Sequence, residues 1–432
     1  MSKTFRIATL GCKLNYSESS HIARELQQQG FETASNPDYF IINTCTVTGI
    51  AEKKARNLIA QFHRKNSNAE IIVIGCFAAR DQALVENLPG VTKVFGSADK
   101  MDIIAYLLEQ NLAETPFISR QLKLKAMHTT NHFFSTFSSH DRTRSFLKIQ
   151  DGCDYHCSYC AVARARGESR SDTIENVMNN LEQIAQLNCK EVVLTGVNTG
   201  DFGRKNEETF FQLLNEINTH KPIERVRISS IEPNLLTNEI IQLIADSTVL
   251  MPHFHIPLQS GSDRVLAAMK RRYKTALFAE KVHQIKSAMP HACIAVDVIS
   301  GFPAETEEDF AATAHFLSNL PVSYLHVFSY SKRAQTPAAE MKPQVKDSLK
   351  KERTNILLQL SEKKKLAFYK EHLHTKRAVL FEEDVKNGMI FGFTDNYIRV
   401  SAPFNESFIN QIINIELTEY NMLESKIVNL KS

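Results

Sequence analysis

Apolar positions recur along this chain with two periods, and the period changes at recognisable places. Over the first ~110 residues, short β-branched runs alternate with stretches of helical spacing. FRIATL, YFIINT and EIIVIG are continuous apolar runs of the kind buried on both faces of a parallel sheet. Between them, SESSHIARELQQQ and AEKKARNLIAQFHRK place apolar residues three and four apart, and VTKVFG and MDIIAYLLEQ add one more strand and helix. This pattern predicts a doubly wound α/β domain over residues 1–114.

From 115 to 141 the periodicity fails. The stretch holds Ser, Thr, His and Phe with scattered Arg and Lys and almost no acid, and reads as a linker or a basic arm able to touch phosphate. A second alternating series runs over 142–371. Its strands are SFLKIQ, EVVLTG, RVRISS, FHIPL, CIAVDVI and YLHVFS, with helical patterns between them. Six strands with intervening helices predict a partial (β/α)6 barrel. LKKERTNILLQLSEKKKLAFYKEHL follows as a long amphipathic helix. Residues 372–432 then read as short strands separated by turns, which predicts a small β-barrel.

Composition narrows the class. The chain has 432 residues, 43% hydrophobic and 23% charged, which is the balance of a folded protein of two or three domains. No apolar run approaches the ~20 residues needed to cross a bilayer. The strand-like N-terminus lacks the features of a signal peptide, so no membrane and a cytoplasmic location are expected. The net charge of +3 neither demands nor excludes a nucleic-acid partner. Eight cysteines in such a chain point to metal binding or catalysis rather than a disulfide framework.

Six of the eight fall into two sets. Cys153, Cys157 and Cys160 form CDYHCSYC directly after a barrel strand, where chemistry sits in barrels. Three close thiolates can hold three irons of a 4Fe–4S cluster and leave the fourth open to the amino and carboxylate groups of S-adenosylmethionine (SAM). A zinc site with His156 as fourth ligand is the alternative, against the usual paired spacing. Tyr159 is the aromatic expected to pack on the adenine of SAM, or else an ordinary buried tyrosine. Cys12, Cys45 and Cys76 each lie just past a predicted strand, where a doubly wound sheet gathers its ligands, and are read as a second cluster site rather than three inert core thiols. Gly11 and Gly75 beside them permit tight turns. Cys189 and Cys293 are read as structural.

TLGCKLNYSES, NTCTVT, GCFAA, QDGCDYHCSYC, LTGVNTGDFG, ISSIEP, HIPLQSGSDRVLAAMKRRY and GFPAETEEDF together resemble the radical-SAM methylthiotransferases over essentially the full chain. GCKLN resembles the branch acting on N6-threonylcarbamoyladenosine beside the tRNA anticodon. The resemblance implies an N-terminal domain with an auxiliary 4Fe–4S cluster, a radical-SAM core, and a C-terminal RNA-binding TRAM barrel. It also implies reductive cleavage of SAM, hydrogen abstraction from C2 of adenine, sulfur from the auxiliary cluster, a methyl group from a second SAM, and electrons from a flavodoxin-like donor. The hard step then belongs to cofactors, since an adenine C–H bond is beyond side-chain acid–base chemistry. By motif position, Thr195 and Gly196 are assigned to the methionine part of SAM, and Ser230 and Glu232 to its ribose or the substrate side. Arg271, Arg272 and Tyr273 are assigned to the pocket, and Arg166 to a substrate-side loop.

Three stretches depart from the family pattern. AVARARGESRSD follows the last cysteine where relatives have a proline–aromatic step, Gln335 replaces a glycine before TP, and residues 372–432 hold more acidic than basic groups. An RNA binder should be basic, so either Lys376, Arg377, Lys386 and Arg399 cluster on one face or the linker and barrel rim carry more of the contact. The alternatives are a methylthiotransferase for isopentenyladenosine or for ribosomal protein S12, and a non-enzymatic metal-containing RNA-binding protein.

Overall fold

The computed structural model describes residues 3–111, 133–139, 142–421 and 426–428. Most of the expected linker over 115–141 lies outside the described residues. The chain forms two compact units. One comprises the N-terminal stretch to Ser138 with Phe146–His156 and Cys160–Asp172; the other comprises Ser139–Ser145, Cys157–Tyr159 and the chain from Thr173.

In the first unit, β1 (Thr4–Thr9), β2 (Glu32–Thr33), β3 (Tyr39–Thr44), β4 (Glu70–Gly75) and β5 (Val91–Phe95) form one sheet in the order β2-β1-β3-β4-β5. Every pairing is parallel. The continuous apolar runs of β3 and β4 feed both faces. Ile41, Ile72 and Ile74 pack with Ile22 and Leu26 of α1 (Lys13–Gln28). Phe40, Ile42, Ile71 and Val73 pack with Ile59 and Phe62 of α2 (Gly49–Lys65). α3 (Cys76–Arg80) and α4 (Gln82–Glu86) follow β4, and α5 (Asp102–Asn111) adds Leu107 to the α1 side. Because the chain leaves β1 for β2 on one side and β3 on the other, the carboxyl ends of β1 and β3 flank a topological switch point. Further on, β6 (Thr136–Phe137) pairs antiparallel with β7 (Arg144–Lys148). β8 (Gln150–Asp151) pairs antiparallel with β9 (Arg170–Ser171), closing the base of the segment that carries the cysteine triplet and the helix Val162–Arg166.

The second unit is built on β10 (Glu191–Thr195), β11 (Arg225–Ile228), β12 (His253–Gln259), β13 (Cys293–Ser300) and β14 (Tyr324–Ser329). β10 pairs in parallel with β11, and β12, β13 and β14 pair in parallel with one another. Parallel bridges Val226↔Leu250 and Ser230↔His255 continue the wall from β11 to β12. Five of the helices around these strands start on Thr173, Thr209, Thr237, Ser262 and Thr306, each accepting a hydrogen bond from the backbone three residues on. Such a cap contributes about 1 kcal/mol.

The helix Asp347–Glu371 differs from its reading as an ordinary amphipathic element. It buries Arg353 and Ser361 beside Leu357, while Ile356 and Leu358 stay exposed. Arg353 pairs with Glu305 at 2.6 Å, and Ser361 exchanges hydrogen bonds with both backbone groups of Leu325 in β14. Polar locks therefore share the buried face of this helix with Leu357, Phe368 and Tyr369.

After it, β15 (Lys376–Lys386), β16 (Met389–Thr394), β17 (Arg399–Pro403) and β18 (Ile412–Glu416) form a curled antiparallel sheet in the order β18-β15-β16-β17. β19 (Glu419–Asn421) and β20 (Lys426–Val428) extend its edge. Its core residues Val379, Phe381, Ile390 and Val400 share one cluster with Cys293 and Phe368. Arg227 of β11 pairs with Glu191 of β10 and donates to the carbonyls of Thr394 and Asp395, so the sheet is pinned to the parallel wall by hydrogen bonds from a buried, charge-balanced guanidinium.

Candidate active site

The first unit draws three distant cysteines to one end of its sheet. Cys12 caps α1 just past β1, Cys45 follows β3, and Cys76 opens α3 directly after β4. The backbone must turn sharply at two of these places. Gly11 has φ +115°, and a Cβ there would lie 2.6 Å from the Cys45 Cβ. Gly75 has φ +98°, and a Cβ there would meet Asn43 Oδ1 at 2.5 Å. Only glycine fits both. Burial pushes the Cys45 thiol up to about 11, and the neighbouring Cys12 and Cys76 sulfurs add to the rise.

Next to the cysteines lies a buried charge network that the sequence did not reveal. Arg166 donates to Asn15 Oδ1 at 2.7 Å, Asp151 Oδ1 at 2.8 Å and Glu18 Oε1 at 3.2 Å. Glu18 also pairs with Lys100 at 2.6 Å and Lys148 at 3.4 Å. Asn15 donates to the carbonyls of Leu10 and Thr44, tying the network to the ends of β1 and β3. Burial alone would raise the Glu18 carboxyl, but the charges of Arg166, Lys100 and Lys148 hold it down at about 2. Arg166 is held charged by Asp151, Cys76, Glu18 and Cys12 against its burial. Three buried cations thus face two buried carboxylates, and the surplus positive charge lies beside three thiols. That donor set fits a thiolate-ligated iron–sulfur cluster, whose net charge is negative. Arg166, assigned by motif position to a substrate-side loop, is 4% exposed and its guanidinium bonds within this network.

In the second unit, the middle cysteine of the triplet meets an arginine. Arg271 donates to Cys157 Sγ at 3.1 Å, to Tyr159 OH at 3.4 Å and to Tyr273 OH at 3.1 Å. Its other nitrogen pairs with Glu232. Tyr273 in turn donates to the carbonyls of Pro257 and Leu258 at the end of β12. Burial pushes the Cys157 thiol up and Arg271 pulls it back, which favours a thiolate once metal takes the proton's place. Burial likewise raises Glu232. The loop is anchored by Ser158, which bonds to the carbonyls of Met269 and Ala268 and accepts from Ala338 N–H. Gln335, three residues earlier, adopts φ +66°, so the residue that replaces glycine takes up glycine's left-handed conformation. Cys153 and Cys160, assigned to the first unit, accept from the backbone N–H of Tyr155 and Val162. His156 is exposed.

The remaining assigned residues are spread more widely. Thr195 ends β10 and is buried, with Gly196 next to it. The Ser230 carbonyl accepts from Thr199 Oγ1 at 2.7 Å. Tyr159 packs edge-on to Phe302. Arg272 and Lys376 are exposed, Arg377 lies 3.4 Å from Asp395, and Arg399 stacks over Phe391. Cys189 bonds to the carbonyls of Thr143 and Glu191, and Cys293 is a core residue. Asn15 and Glu18 could have been found as polar residues three apart in the first two turns of a helix entering the crevice of a parallel sheet.

Comparison with known proteins decides the family. The chain is 36% identical over 423 residues, 96% of its length and 93% of the relative's, to the threonylcarbamoyladenosine tRNA methylthiotransferase MtaB of Bacillus subtilis. The chain belongs to the radical-SAM methylthiotransferases. Residues 147–317 match the model of the radical SAM superfamily and residues 4–96 that of uncharacterized protein family UPF0004. The MtaB of Thermotoga maritima is 36% identical over 400 residues, covering 92% of this chain and 91% of that one. A tRNA-2-methylthio-N(6)-dimethylallyladenosine synthase of Endomicrobium trichonymphae is 30% identical over 423 residues, covering 96% and 97%. Among solved structures, the radical S-adenosylmethionine methyltransferase TsrM of Kitasatospora setae has a TM-score of 0.56 at 15% identity, covering 78% of this chain and 77% of that one, which is a likeness of fold. Membership in this family implies SAM and a 4Fe–4S cluster. Among the described residues no helix is long and apolar enough to cross a membrane.

Proposed function

We propose that this methylthiotransferase converts N6-threonylcarbamoyladenosine at position 37 of tRNA, beside the anticodon, to its 2-methylthio derivative. The observation that carries the reading is the pairing of a cysteine-triplet loop bonded by Arg271 with a second, convergent set of Cys12, Cys45 and Cys76, in a chain 36% identical to a relative named for that nucleoside. Cys153, Cys157 and Cys160 would hold the SAM-binding cluster, and Cys12, Cys45 and Cys76 an auxiliary 4Fe–4S cluster. When bound, these groups and SAM supply the radical, sulfur and methyl chemistry that no side chain offers.

The chain's own residues then have definable tasks. Arg271 balances the charge of Cys157 and fixes Tyr159, and Glu232 and Tyr273 hold Arg271 in place. Arg166, Lys100 and Lys148 balance the auxiliary thiolates. Thr195, Gly196, Ser230 and Glu232 are read as SAM contacts. Arg272, Lys376, Arg377 and Arg399 are read as contacts to the anticodon stem-loop, with residues 372–432 as a TRAM-like barrel beside the radical-SAM core of 142–371. A flavodoxin-like donor supplies electrons, and the work is cytoplasmic.

Mass spectrometry of nucleosides from total tRNA, with the gene intact and deleted, tests this. Loss of 2-methylthio-threonylcarbamoyladenosine with a rise of its unthiolated parent supports the reading. A change confined to the isopentenyl derivative moves the substrate to the one named for the 30% identical relative.

A further inference from the structure

The parallel wall of the second unit carries three neighbouring polar residues among buried aliphatics. His255 lies in β12, Asp297 in β13 and His326 in β14. Asp297 is the register partner of His326, and His255 Nε2 lies 2.7 Å from Asp297 Oδ1. The two imidazole centroids are 5.0 Å apart. One nitrogen of each ring and a carboxylate oxygen all lie within 4.8 Å of one another. Ile256, Val296, Val298 and Leu325 beside them in sequence are buried, yet the side chains of His255 and Asp297 keep 21% and 18% exposure and His326 is exposed. The trio therefore faces space that a ligand can enter. It is also near the cluster loop: the charge of Asp297 reaches Glu232, which pairs with Arg271, the residue bonded to Cys157 Sγ.

The chemistry of this wall is selective. With its Nε2–H donating to the Asp297 carboxylate, His255 offers Nδ1 as an acceptor for a urea N–H or a hydroxyl. His326 offers a donor for a carboxylate. An apolar substituent laid on the same groups would strip their water and return no hydrogen bonds. Sites built to bond a polar substituent reject the analogue lacking it far more strongly than apolar pockets distinguish sizes.

We propose that His255, Asp297 and His326 receive the polar N6 substituent of the target adenosine, its urea, hydroxyl and carboxylate, and set the preference for it over an apolar prenyl group. This rests on the methylthiotransferase reading above.

The test uses anaerobically reconstituted full-length enzyme and anticodon stem-loops carrying N6-threonylcarbamoyladenosine or N6-isopentenyladenosine. If the unaltered enzyme forms no methylthio product on the threonylcarbamoyl RNA, the functional reading itself fails. Given that product, the ratio of the two Kd values, read by fluorescence anisotropy, tests the proposal. The unaltered enzyme should prefer the threonylcarbamoyl RNA. His326→Leu and Asp297→Asn should each lower that preference at least ~10-fold, and raise KM for the threonylcarbamoyl RNA more than they lower kcat. His326→Gln, which keeps a donor, should restore part of the preference. A preference absent from the unaltered enzyme, or unchanged because both RNAs weaken alike or neither does, overturns the proposal.

Discussion

Cys12, Cys45 and Cys76 come from three strand ends more than thirty residues apart, whereas Cys153, Cys157 and Cys160 share one eight-residue stretch. The first set exists only once the parallel sheet has formed, and its turns demand glycine at positions 11 and 75. The second is held by chain connectivity, and its middle cysteine accepts from an arginine that is itself fixed by Glu232 and Tyr273. The two also balance charge differently. The convergent set lies beside a buried network of three cations and two carboxylates, whereas Cys157 has one guanidinium placed directly on its sulfur. The convergent set should therefore fail with the fold, and the loop set with its local partners.

The largest effect should come from Cys157→Ala, with SAM cleavage falling by at least ~1000-fold because the cofactor carries the hard step. Iron bound per chain should drop by about half, since each cluster holds about four irons. Loss of nearly all the iron would tie the two sites together and break the contrast.

Arg166→Met should destabilise the first unit by about 3–5 kcal/mol, because it leaves buried carboxylates under-compensated. Urea unfolding checks this, and retention of the auxiliary iron with unchanged stability would remove the network from the account.

Acid should act on the same network. The Glu18 carboxyl is held at about 2 against an ordinary 4.5. Its contribution is present above pH 4.5 and lost as pH falls towards 2, a change of about 3 kcal/mol. Glu18→Gln should flatten that part of the stability profile.

Arg271→Lys removes the forked donor that reaches Cys157, Tyr159 and Tyr273 together. Activity should fall about 10–100-fold, as for other residues bonded to metal ligands, with the auxiliary iron unchanged.

The smallest effect should be a gain. Gln335→Gly relieves a positive φ in the turn leading to Ala338, which bonds to the cysteine loop at Ser158. A rise of about 0.5–1 kcal/mol in thermal or urea unfolding is expected.

The same contrast explains what the sequence could show. Continuous apolar runs such as EIIVIG have one home, the middle of a parallel sheet, so the α/β order of the first unit was legible, and with it the position of Cys12, Cys45 and Cys76 just past three strand ends. The triplet was legible because its spacing is itself the signal. The buried salt-bridge network was not, since Glu18, Lys100, Lys148 and Asp151 are ordinary surface residue types until the fold gathers them. In the helix Asp347–Glu371 the buried face mixes Arg353 and Ser361 with Leu357, Phe368 and Tyr369, and a hydrophobic pattern counts the first two as solvent-facing. His255, Asp297 and His326 did leave a trace, as polar residues set in strand runs that are otherwise largely apolar, but only the strand pairing brings them together.

The most direct measurement is to assay the triple variant Cys12→Ala, Cys45→Ala, Cys76→Ala, reconstituted anaerobically, for 5′-deoxyadenosine and for methylthiolated nucleoside in the same reaction. Two separable sites predict that 5′-deoxyadenosine still forms while the methylthio product is absent. Methylthio product at the level of the unaltered enzyme, or loss of 5′-deoxyadenosine along with it, would contradict the account.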